Sequence, residues 1–72
     1  MLLQEAYVIQ QWNGIHRNNV NQIRGSMELL SIADLAKILR VSVNNCKNVV
    51  DAIQAHPDWD DERIAEEVSW DN

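Results

Sequence analysis

Ser31-Ile-Ala-Asp-Leu-Ala-Lys-Ile-Leu-Arg40-Val-Ser-Val-Asn-Asn-Cys-Lys-Asn-Val-Val50 is the stretch whose reading decides the fold. It parses as a short helix, a tight turn at Arg40–Ser42 and a second helix. Ile32, Leu35, Ala36 and Leu39 form one apolar stripe, Val41 plugs the turn, and Cys46, Val49 and Val50 form the facing stripe. Leu35 and Leu39 are four residues apart, as are Cys46 and Val50, so each pair falls on one helical face. Ala36 stands where the two backbones approach most closely, and a small residue is required there. Ser31 caps the first helix, with Asp34 three residues on as a weak form of the capping box. Ser42 caps the second, which runs from Val43 to about Ala55 before His56-Pro57 stops it.

Working outward, residues 2–13 read as a helix with a broad apolar face. Leu2, Ala6 and Ile9 make one stripe, and Val8, Trp12 and Ile15 a neighbouring one. Asn13-Gly14 is a helix stop and turn signal, residues 15–18 read as a connection, and Asn18 or Asn19 can cap a further helix. Val20, Ile23, Met27 and Leu30 then follow helical spacing, and Gly25 weakens that helix by roughly 1 kcal/mol relative to Ala. On the other side, Asp58 to Asp61 lead into a helix from Glu62 to about Val68, whose apolar face is Ile64, Ala65 and Val68 with Trp59 ahead of them. Its acidic first turn suits the positive end of the helix dipole. The expectation is an all-α fold, a small bundle of about five short helices in one domain. Residues 1–30 would form a helical hairpin, 31–55 the central pair and 56–72 an acidic terminal helix.

Composition bounds the function. With 72 residues the chain is a single small domain, and such chains bury only about 60% of their unfolded surface. One cysteine provides no disulfide framework, and no Cys/His cluster offers a metal staple, so oligomerisation is the remaining common source of burial. A homodimer is therefore expected, with the extra apolar face of the first thirty residues as a candidate interface. The apolar N-terminal patch, Met1 to Leu3, is too short for a membrane span and lacks the charged start of a signal peptide. A cytoplasmic setting, with Cys46 as a free thiol, is the expectation.

The net charge of −5 argues against a generic nucleic-acid binder, but its distribution is uneven. Residues 1–28 balance, with Arg17 and Arg24 against Glu5 and Glu28. Residues 29–50 carry Lys37, Arg40 and Lys47 against Asp34 alone. Residues 51–72 carry eight acids against Arg63. The acidity belongs to the C-terminal third, and the central pair is mildly basic.

Residues 31–50 resemble the helix-turn-helix DNA-binding family, in particular small prokaryotic and phage transcriptional regulators. In that family the second helix enters the major groove and its leading residues meet base edges. The resemblance implies that Asn44, Asn45, Lys47 and Asn48 face double-stranded DNA. Asn can pair bidentately with adenine, and Lys can reach guanine or a phosphate. Ser42, the helix N-terminus, Lys37 and Arg40 would hold phosphates and set the register. The family usually has Gly where this chain has Arg40, because the turn there favours a left-handed backbone. A protein of this kind would act as a dimer on a near-palindromic site.

The same residues admit a second reading, an acidic helical module that binds a basic protein partner and not DNA. Trp12, Trp59 and Trp70 are its candidate interface residues, since Trp is enriched at interface centres. The stretch from Ala55 to Val68 resembles the opening of another helix-turn-helix, of the kind in partition-protein-like regulators. His56-Pro57-Asp58 matches the signature tripeptide of J-domain co-chaperones, but the helix before it is not basic, and Pro ending one helix while Asp begins the next explains it. Catalysis is not expected: one Cys, two distant histidines and no Gly-rich loop leave no nucleophile–base pair and no phosphate cradle. The acids at Asp58, Asp60, Asp61 and Glu62 lack the glycine and spacing of a calcium loop, so no metal and no cofactor is expected.

Overall fold

A computed structural model describes the backbone of residues 3–70 and the side chains of residues 14–70. Four helices follow one another: α1 Leu3–Ser26, α2 Ile32–Leu39, α3 Val43–Ala55 and α4 Asp61–Glu67. The all-α expectation holds, but the described residues form four helices and not about five. The N-terminal hairpin is the error. Asn13-Gly14 and residues 15–18 lie inside α1, and neither Asn18 nor Asn19 is a cap.

Tertiary packing explains the continuity. His16, Asn19, Val20 and Ile23 are all buried and follow three- and four-residue spacing on one face of α1. Breaking the helix at residues 15–18 would turn His16 away from that face. Gly14 and Gly25 each weaken a helix by about 1 kcal/mol, whereas full burial of Val20 or Ile23 contributes about 1.5–3 kcal/mol apiece. Neither glycine has positive φ, so neither is used as a turn residue. A helix of 24 residues is about 36 Å long. The side chains of Val8 and Trp12 lie outside the described residues.

The central pair is built by local chemistry. Ser31 Oγ accepts the Asp34 amide at 3.1 Å, and Ser42 Oγ accepts the Asn45 amide at 3.0 Å. Between them Arg40 takes a left-handed backbone, φ 58° and ψ 40°, and among the described residues no other non-glycine has positive φ. The Val41 amide donates to the Ala36 carbonyl at 3.0 Å and the Arg40 amide to the Lys37 carbonyl at 3.4 Å. That pair of bonds is a Schellman ending, which satisfies the last carbonyls of α2. The conformation costs a non-glycine residue about 1–2 kcal/mol.

The core draws on every helix: Val20 and Ile23 from α1, Leu35 and Ala36 from α2, Cys46, Val49, Val50 and Ile53 from α3, Ile64 and Ala65 from α4. Burial pushes the Cys46 thiol up, so it is a packed, un-ionised group. Asp60 caps α4 by accepting the Arg63 amide at 2.8 Å, and the helix begins at Asp61, one residue ahead of the expected Glu62. The α4 helix is fastened to α1 through Asp61. Asn21 Nδ2 donates to Asp61 Oδ2 at 2.9 Å and Arg24 Nε to Asp61 Oδ1 at 2.7 Å, while Arg24 Nη2 reaches the Trp59 carbonyl at 3.1 Å. Burial alone would raise the Asp61 carboxyl. The hydrogen bonds from Asn21 and Arg24 and the guanidinium charge outweigh it and hold the group below the usual carboxylate range.

Candidate nucleic-acid interface

The capped start of α3 and the turn before it define the candidate surface. Lys37, Arg40, Ser42, Asn44, Lys47 and Asn48 are all exposed. They come from the last turn of α2, the connecting turn and the first two turns of α3, whose N-terminus, with its free amides and the positive end of the dipole, favours an anion. No acid occurs between residues 35 and 50. Asn48 Nδ2 donates to the Ser69 carbonyl at 3.4 Å, a long contact at an exposed site.

Asn45 corrects the expected set. It is only 5% exposed and sits on the inner side of α3, four residues before the buried Val49 and eight before the buried Ile53. Its spacing to Val49 was the available signal. Among the described residues no buried side-chain nitrogen or oxygen lacks a hydrogen-bond partner, so Asn45 is a satisfied core polar group. Its amide also closes the Ser42 cap, which makes it a residue that sets the start of α3.

The three tryptophans have different standings. The Trp59 ring stacks on His56, centroids 3.6 Å apart and planes 3° from parallel, and the Arg63 guanidinium lies 4.7 Å from its centroid. Trp70 stacks on His16 at 4.0 Å and donates its Nε1–H to the Ala65 carbonyl at 2.8 Å. Both indoles are half-buried and serve contacts within the chain. The Trp12 side chain is outside the described residues. Burial lowers the pKa of His16, so the ring held against Trp70 favours its neutral form. Sequence reasoning missed this stack and the Arg24–Asp61 clamp, because both join residues far apart in the chain.

Beside the exposed stripe of α3 runs an open groove of about 380 Å³ between α3 and α4. Ala52, Ala55, Val68 and the stacked His56 and Trp59 rings line it, and Asp51 and Glu67 are its carboxylates. Among the described residues no group of three His, Cys, Asp or Glu side chains could hold a metal ion, and no helix is long and apolar enough to cross a membrane.

Compared with protein-family models, curated proteins and solved structures, the chain matches none.

Proposed function

We infer that the chain is a small helix-turn-helix DNA-binding protein, a transcriptional regulator of prokaryotic or phage type. The single observation that carries the reading is the left-handed Arg40 between two serine-capped helices, which leaves Asn44 and Lys47 exposed at the leading end of α3. In this reading α3 enters the major groove. Asn44, Lys47 and Asn48 meet base edges, Lys37, Arg40 and Ser42 hold phosphates, and Asn45 keeps the helix start in place.

Two copies on a near-palindromic site are needed, because one weakly charged unit makes few phosphate contacts. Few contacts also mean a shallow salt dependence. The test is a low-salt titration against a pool of random-sequence duplexes, followed by selection. Lys37→Ala should weaken all sites about equally, whereas Asn44→Ala should lower discrimination between them. A chain that shifts no duplex at low salt ends the reading.

The acid-rimmed groove favours a second reading, a helical interaction module for a basic protein surface. It expects no DNA binding, and it expects charge reversal at Glu67 to abolish partner binding.

A further inference from the structure

The groove between α3 and α4 has a complement on the same chain. Its floor of Ala52, Ala55, Val68 and the stacked rings of His56 and Trp59 is rimmed by the exposed carboxylates of Asp51 and Glu67, and no Lys or Arg lines it. Glu67 has an exposed partner in Arg63 at 3.3 Å. Such a surface i,i+4 pair contributes only about 0.3–0.5 kcal/mol and leaves the carboxylate free to exchange partners. The turn between α2 and α3 has the opposite character. Ile38 is 64% exposed and Val43 54% exposed, and Lys37 and Arg40 beside them are exposed cations. Large aliphatic side chains at that exposure, set among like charges, match an apolar floor with two opposite charges at its rim. Complementary charges fix partner and register more than they add affinity.

We propose that the occupant of the α3–α4 groove is the α2–α3 corner of a second copy of this chain. Ile38 and Val43 cover the Ala52, Ala55 and Val68 floor, while Lys37 and Arg40 face Asp51 and Glu67. Val43 and Ala55 lie at opposite ends of α3, about 18 Å apart at the helical rise. The proposed pair is two-fold, each corner seated in the other copy's groove, an arrangement that closes as a dimer and not as a chain of copies. The contact covers Lys37 and Arg40, so it belongs to the protein off DNA. That one consequence rests on the DNA-binding reading; the self-association does not.

Sedimentation velocity of the whole chain at low and high salt tests the proposal, using two charge-reversed variants. The wild type should associate reversibly, and more weakly as salt screens the rim charges. Asp51→Lys with Glu67→Lys, and separately Lys37→Glu with Arg40→Glu, should each weaken self-association by about tenfold or more. Mixing the two variants should restore it, since both reciprocal contacts then pair opposite charges. Ile38→Ser, at an exposed site that does not threaten folding, should weaken association several-fold. A wild type that stays monomeric into the millimolar range overturns the proposal, whether or not another protein takes the groove. So does association that the reversals leave unchanged, or a mixture of folded variants that stays monomeric. Asp51→Lys with Glu67→Lys retains Lys37 and Arg40, so loss of self-association with DNA binding intact separates the two claims. Loss of neither self-association nor salt sensitivity sinks this one alone.

Discussion

The α2–turn–α3 unit and α1 are held by different kinds of force. In the unit the caps and the turn closure agree with the final structure: Ser31 and Ser42 cap, and Ala36 and Val41 supply the carbonyl and amide that close the turn, with Arg40 in the left-handed place that glycine would fill at less cost. In α1 the local signals disagree with it. Asn13-Gly14 reads as a stop and lies within a 24-residue helix, because the buried face from His16 to Ile23 rewards continuity. Where caps and turns decide, short-range chemistry suffices. Where packing decides, it is overruled.

The largest expected effect comes from the packing side. Ile23→Ala, at a fully buried site that joins α1 to the shared core, should cost about 2–5 kcal/mol in urea denaturation. A cost near zero would mean that α1 is not held by its core face. Arg24→Ala should come next, at about 1–2 kcal/mol after discounting for partial exposure. It removes the clamp to Asp61 and the Trp59 carbonyl together. Because the Asp61 carboxyl is held low in the folded state, the clamp's contribution is present above the ordinary Asp range and is lost as pH falls through the folded value.

His16 gives a separate pH signature. Its folded pKa is depressed below that of the unfolded chain, so stability is full above about pH 6.5 and declines on acidification below it. Thermal unfolding between pH 7.5 and 5.5 should show that decline. His16→Phe, which keeps a ring against Trp70, should flatten that part of the profile.

The smallest effects separate the two regions most cleanly. Arg40→Gly should stabilise the fold by about 1 kcal/mol by relieving the left-handed residue, and the proposed DNA-binding role predicts that the lost cation weakens any duplex binding. Gly14→Ala should also stabilise, by about 0.5–1 kcal/mol, since a Cβ there meets nothing within 4 Å. A hairpin turning at Asn13-Gly14 would predict the opposite sign for the second variant.

The extent to which the sequence was readable follows the same division. The central helices, both serine caps, the turn at Arg40 and the inward stripes of α2 and α3 were legible, since each depends on residues within four or five positions. The merger of the first two helices was not, because it depends on partners in α3 and α4. Asn45 has the residue type of an outer, base-reading position, but its four-residue spacing to Val49 places it on the inner face. The clamp of Arg24 to Asp61 and the His16–Trp70 stack span most of the chain, and nothing in their local sequence announces them.

The use of the α3 leading end on DNA is tested most directly by amide chemical-shift mapping during addition of a selected duplex. The DNA-binding reading predicts the largest shifts from Lys37 to Asn48, with α1 and α4 little changed. Shifts centred on the groove residues Asp51, Ala55 and Val68, or no shifts at any salt, would contradict it.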